Sequence, residues 1–165
     1  MGATGWTYWI PYQSDLDKAL RELKEQVFAR GEYNKPFTAE DYLEILGEKA
    51  DPRLARALPS RASLTPPQTI GELLRQCAES GTGSILDIER VAAEPQFGAI
   101  APLPNETLRN LFGTEKPTQE MVAQWAGRIP TIEEPRLYRR EQGIYVITYQ
   151  GGEPNQVYIE GCSGD

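Results

Sequence analysis

The chain has 165 residues, of which 39% are hydrophobic and 25% are charged, and its formal net charge is −7. This composition is typical of an ordinary globular protein, and we expect a single domain over residues 1–165. Because the sequence contains no histidine, Ser-His-Asp catalysis, Cys-His catalysis and zinc sites of the HExxH type are excluded.

The charge distribution bears on the kind of partner. Residues 79–134 include nine acidic and four basic residues, an excess that attracts a basic protein and repels nucleic acid. A solvated acidic surface that only keeps the protein soluble is the simpler alternative. The sequence has no apolar run of membrane-spanning length and no basic region ahead of its first apolar stretch, so we expect a cytoplasmic protein without a membrane partner.

The stretch "GWTYWIPY" begins the chain's first predicted element. Its aromatic and β-branched residues predict a short strand that ends at Pro11. Trp6 and Trp9 fall on opposite faces of that strand, so one of them should be exposed or covered by something else. Since protein interfaces favour aromatic anchors, Trp6, Trp9 and Tyr12 are candidate binding residues.

Two amphipathic helices follow. Ser14 is the expected N-cap of the first, and Gly31 ends it; the apolar side chains that recur at helical spacing are Leu16, Leu20, Leu23 and Val27. Thr38 caps the second, shorter helix, for which we expect four buried side chains: Tyr42, Leu43, Ile45 and Leu46. Residues 51–68 contain four prolines and predict a long irregular connection, with one helical turn near Arg53–Leu58.

The glycine-containing stretch "SGTGS" follows a third predicted helix, which Thr69 caps. A phosphate-binding loop would precede a helix, so we interpret this stretch as a turn that leads into a strand, "SILDIERV". On a strand, Asp87 and Glu89 share one face and are candidate binding residues, although two carboxylates alone make a poor metal site. A short helix capped by Ser84 is the alternative for this segment.

The remaining third of the sequence predicts two short helices and then strands. Asn105 and Thr118 are the expected N-caps of the helices. The strand-like runs are "RLYRR", "GIYVITYQ" and "QVYIEG", and "GGEPN" joins the last two into a hairpin. We therefore expect an α+β fold with an antiparallel sheet of about four or five strands and three to five helices packed on one face.

Four stretches resemble a family of uncharacterised small bacterial proteins. They are the opening "GWTYWIPYQSDLDKALRELKEQVFARGEY", the central "SGTGSILDIERV", the "FGTEKPT" motif and the closing "GCSGD", at residues 5–33, 80–91, 112–118 and 161–165. The family has no assigned activity. The resemblance therefore implies a bacterial cytoplasmic domain and transfers no catalytic residue.

These observations favour an acidic cytoplasmic binding protein, for instance an immunity-type protein that neutralises a basic partner. One alternative is a small regulatory or structural module whose partner no motif identifies. The other is an enzyme that uses carboxylates or a thiol, for which Asp87, Glu89 and Cys162 are the only candidates. We predict a protein partner, and neither an enzyme nor a metal, cofactor or nucleic-acid site.

Overall fold

The computed structural model describes residues 4–78, 80–126 and 137–163. The strands are β1 (Gly5–Pro11), β2 (Arg90–Val91), β3 (Ala99–Pro102), β4 (Gln142–Gln150) and β5 (Glu153–Cys162). The α-helices are α1 (Leu16–Arg30), α2 (Ala39–Leu46), α3 (Pro52–Ala57), α4 (Ile70–Gln76), α5 (Asn105–Phe112) and α6 (Gln119–Ala126). Short 3₁₀ helices cover Gly47–Lys49, Arg61–Ser63 and Ile85–Asp87.

The strands form one sheet in the order β1-β5-β4-β3-β2. The α+β class, with about five strands and several helices, is thus confirmed. The sheet is mixed and not purely antiparallel: β5 pairs antiparallel with β1 and β4, whereas β3 pairs parallel with β2 and β4. The segment with α5 and α6 connects β3 to β4, and it is long enough for the crossover that parallel neighbours require.

Helices cover both faces of this sheet, whereas the sequence predicted helices on one face. On the first face, α1 and α4 pack on strand residues that include Trp6, Val157 and Ile159. On the second face, α5 and α6 pack on a set that includes Ile144, Val146 and Tyr158. The alternating side chains of β4 and β5 are apolar in both directions, so both faces need cover.

Helix α1 follows its predicted pattern except at the cap. Asp15, and not Ser14, is the N-cap, because its carboxylate accepts a hydrogen bond from the Lys18 N–H at 2.9 Å. The helix ends at Gly31, which has the left-handed conformation of a C-cap, and Leu20, Leu23 and Val27 are buried as expected.

Helix α2 corrects one expectation. Thr38 and Asp41 form the capping box of this helix, but none of its residues is buried, and Ile45 is 71% exposed. Its main packing contact is with α3 in the proline-rich 51–68 segment, which contains more helix than the sequence predicted. The stripe of apolar side chains on α2 therefore faces mostly solvent.

The hairpin of β4 and β5 is present as predicted, with Gly151 and Gly152 at its turn. "RLYRR" is not a strand: residues 137–140 form none, and Arg136 lies outside the described residues. Among the residues described, no helix is long and apolar enough to cross a membrane.

Candidate functional site

The structure separates the three aromatic residues that the sequence predicted for binding. Trp6 is 6% exposed and packs in the first-face core, so a partner cannot reach it without unfolding the strand. Tyr12 is half-buried, and its backbone N–H donates to the Asn155 carbonyl at 3.0 Å. Trp9 lies on the opposite face from Trp6, as predicted, and is 36% exposed.

The segment after the glycine turn begins as the alternative stated, a short helix capped by Ser84, and not as the predicted strand: the Ser84 hydroxyl accepts a hydrogen bond from the Leu86 N–H at 3.3 Å. It forms the 3₁₀ helix Ile85–Asp87 and then the two-residue strand β2. The N–H of Thr82 donates to both carboxylate oxygens of Asp87, at 2.9 and 3.0 Å. The loop thus binds an anion, but that anion is a side chain of the same loop.

Glu89 does not join Asp87 in a paired-carboxylate site. Its side chain is exposed and lies 3.3 Å from the guanidinium of Arg90. No cluster of potential metal ligands occurs within the described residues. The structure therefore does not support the cation-binding role that the strand interpretation gave to this pair.

The two thiols also lie in different surroundings. Burial, with a smaller contribution from Asp87, raises the pKa of Cys77 to about 11, which keeps this thiol protonated and unreactive. Cys162 donates to the Arg139 carbonyl at 3.3 Å. Neither thiol contacts Asp87 or Glu89 through any described hydrogen bond, so the three residues named for an enzyme do not form a catalytic group here.

A carboxylate that the sequence analysis missed lies on the second face of the sheet. Glu160 is on β5, and its cross-strand neighbours are Thr7 on β1 and Ile144 on β4. The phenol of Tyr158 donates to its Oε2 at 2.6 Å. Glu160 is half-buried, and no ion pair in the described part of the chain involves it.

Aromatic rings cluster around Tyr158, which donates the hydrogen bond to this carboxylate. The ring of Tyr158 lies 5.0 Å from that of Trp9 and 6.1 Å from that of Trp125, between ring centroids. Phe112 packs edge-on against Trp125, and Tyr138 joins the same cluster. We call these five residues the aromatic patch. Tyr158 is fully buried at its centre, Trp9 is exposed, and the other three are half-buried.

The electrostatics of the patch follow from burial. Burial raises the pKa of Glu160, although the hydrogen bond from Tyr158 acts in the opposite direction. Burial also raises the pKa of Tyr138, and the charge of Glu160 raises it further. A partly desolvated carboxylate is unfavourable unless a cation pairs with it. The faces of aromatic rings attract cations as well, so a carboxylate bonded to the aromatic patch suits an ammonium or guanidinium group.

The sequence contains a weak signal for Glu160. It follows the apolar run of Val157, Tyr158 and Ile159 and shares the face of Tyr158. On a strand with one solvated face, such a residue would point to water. Only the finding that both faces are covered makes its position unusual.

Comparisons with protein families, with curated proteins and with solved structures give no match to this chain.

Proposed function

We propose that this protein is an acidic protein-binding domain that accepts a cationic side chain of its partner at Glu160, within the aromatic patch. The observation that carries the proposal is a half-buried carboxylate with no ion pair among the described residues, bonded to Tyr158, whose ring lies 5.0 Å from the exposed ring of Trp9. A lysine or arginine side chain would supply the missing counter-charge and stack on the rings.

The remainder of the molecule is consistent with this choice of partner. The net charge of −7 attracts a basic protein over distance and raises the rate of encounter. Tryptophan and tyrosine are also the residue types that most often dominate binding energy at protein interfaces. An immunity-type protein that neutralises a basic partner in the cytoplasm is the narrower form of the proposal.

The test uses small cations, since they isolate the site from any particular partner. We would titrate N-acetyl-arginine methylamide and N-acetyl-lysine methylamide and record the indole NMR signals of Trp9 and Trp125. We expect saturable shifts in the native protein, their loss in Glu160→Gln, and their retention in Glu153→Gln, which makes the same charge change at an exposed position of the same strand. Shifts that persist in Glu160→Gln would refute the proposal.

The exposed helix α2 favours a second candidate, a structural or regulatory module. Leu43, Ile45 and Leu46 project from it into solvent, and such patches mark interaction surfaces in many proteins. Once a partner is available, Ile45→Ser separates the candidates. Loss of binding in this variant, with normal binding by Glu160→Gln, would favour the module.

A further inference from the structure

Among the described strands, β1 is at the edge of the sheet and pairs with β5 alone. The Ser163 N–H donates to the Thr4 carbonyl at 2.9 Å, and the Tyr12 N–H donates to the Asn155 carbonyl at 3.0 Å. In an antiparallel pair the hydrogen-bonding direction alternates along the strand. The even-numbered residues from 4 to 12 therefore bond to β5, and the odd-numbered residues from 5 to 11 direct their backbone groups outward.

The outward groups form a short template for another strand. Gly5, Thr7 and Trp9 each present an N–H and a carbonyl, whereas Pro11 has no N–H and ends the row. No described backbone hydrogen bond outside the helices and strands uses these three N–H groups. Gly5, Thr7 and Trp9 are also the exposed residues of this part of β1.

The same residues lie beside the proposed cation site. Thr7 is opposite Glu160 and Trp9 is opposite Tyr158, so all four side chains belong to the second face. A strand added to β1 would lie two strand spacings from β5, about 10 Å away. On β1 the residue between them is Thr7, whose side chain is small, and an extended lysine and Glu160 can close that gap.

We propose that the partner binds as an extended peptide that adds an antiparallel strand to the outer edge of β1, with a lysine or arginine opposite Thr7 that reaches Glu160 across it. This inference rests on the proposed function and adds the mode of recognition. The backbone hydrogen bonds of the added strand supply affinity, and the carboxylate and Trp9 select the side chain.

Charge argues for a basic peptide and against a second copy of this chain. A twofold β1–β1 pairing would place both Glu160 carboxylates on the same face of the joined sheet, with no cation between them. It would also join two chains that each carry a net charge of −7. A peptide with one central cation supplies a counter-charge to Glu160. It also avoids the repulsion between two chains of the same net charge.

The experiment uses an acetylated and amidated peptide, TVTKTVT, with the length of β1, seven residues. In the proposed register the valine and lysine N–H groups face β1, and the threonine N–H groups face away. One derivative therefore carries N-methyl groups on both valines. Its matched control carries them on the two threonines beside lysine. Binding is followed by the backbone amide NMR signals of Thr7 and Trp9.

We expect the parent and the threonine-methylated peptide to bind alike, and methylation of both valines to weaken binding by about tenfold or more. Glu160→Gln should weaken the parent by about tenfold, and Glu153→Gln should not. Two results would overturn strand addition and leave the proposed cation site intact. One is that both methylated peptides bind equally well while the parent peptide binds Glu160→Gln more weakly than the native protein. The other is that the small cations bind but the peptide causes no shift. Unchanged peptide binding by Glu160→Gln would overturn both proposals.

Discussion

Glu160 combines an unfavourable position in the fold with a role in the proposed interface. Its carboxylate accepts a hydrogen bond from Tyr158, the buried ring at the centre of the aromatic patch. Selection for stability alone would favour a neutral side chain here, since interior positions rarely hold unpaired charges. A residue that opposes folding in the free protein is a good marker of a site that a ligand completes.

Replacing this residue tests that reasoning on the free protein. Glu160→Gln keeps an acceptor for the Tyr158 hydroxyl and removes the charge, so we expect higher stability at neutral pH by about 0.5 kcal/mol, a small gain because water still screens the carboxylate. Urea denaturation measures the change. Glu153→Gln is the control and should leave the midpoint unchanged; a lower midpoint for Glu160→Gln would show that the charge stabilises the fold.

The pH dependence of this gain has a definite sign. Burial raises the pKa of Glu160 in the folded state, so the folded protein holds that proton more tightly than the unfolded chain does. The free energy of unfolding therefore decreases as pH rises from the unfolded pKa through the folded pKa, and then levels off. The advantage of Glu160→Gln over the native protein should grow over that pH interval. A difference that is constant with pH would contradict this account.

Gly161 is the second residue with a testable role, because Trp6 packs directly on it. The two residues are opposite each other on β5 and β1, and a Cβ at Gly161 would overlap the Trp6 ring and approach the Gln142 carbonyl to 2.6 Å. We expect Gly161→Ala to lower stability by about 1–3 kcal/mol. Gly5→Ala, whose Cβ meets only a carbonyl at 3.9 Å, is the control; equal effects in thermal denaturation would exclude the steric cause.

At the scale of elements, α1 and α2 have similar amphipathic patterns but different surroundings. Leu23 of α1 is 5% exposed, and Ile45 of α2 is 71% exposed. We expect Leu23→Ala to lower the free energy of unfolding by about 2–5 kcal/mol. Ile45→Ala should change it by less than about 0.5 kcal/mol. Chemical denaturation of both variants measures this, and a large effect at Ile45 would mean that α2 is buried in solution.

This contrast explains what the sequence could predict. Periodicity and capping residues located α1, α2 and the β4–β5 hairpin, because these signals are local. Periodicity shows which side chains share a face but not whether another element covers that face. The prediction that Leu43, Ile45 and Leu46 are buried was therefore wrong. Asp87 was misplaced for a related reason: its carboxylate binds the Thr82 N–H, and this local turn replaces the expected strand.

The candidate site was harder to predict than the fold, since it depends on strand order. Trp9 was among the candidate binding residues because of its residue type and its place in the alternation. Glu160 was not, because its position next to Thr7 requires that β1 pair with β5, which is the most distant strand in the sequence. Trp125 and Tyr138 reach the patch through the connection between β3 and β4, and no local pattern indicates where that connection packs.

At the scale of the whole molecule, the two core clusters use the two faces of the same strands. On β4, Ile144 and Val146 pack in the cluster on the second face. Tyr145 and Ile147, on the same strand, pack against the cluster on the first face. Loss of either cluster exposes strands that the other needs. We therefore expect one cooperative unfolding transition, which agrees with the prediction of a single domain.

Leu23→Ala, on the first face, provides the test. The methyl NMR signals of Val122, which is buried on the second face, should report the same lowered denaturation midpoint as those of Leu20. A native midpoint for Val122 would indicate that the two faces unfold independently. Ile45 belongs to neither core cluster. Ile45→Ala should therefore leave both signals at the native midpoint.

The order of the strands has a consequence for synthesis on the ribosome. Strand β1 is the first of the five to emerge, yet β5, its one partner among the described strands, is the last. During most of translation Trp6 and Trp9 are therefore presented to the cell on an unpaired strand, a state that favours aggregation and attracts chaperones. Pro11 and the acidic residues of the nascent chain discourage pairing of β1 with other strands until residues 153–162 have been synthesised.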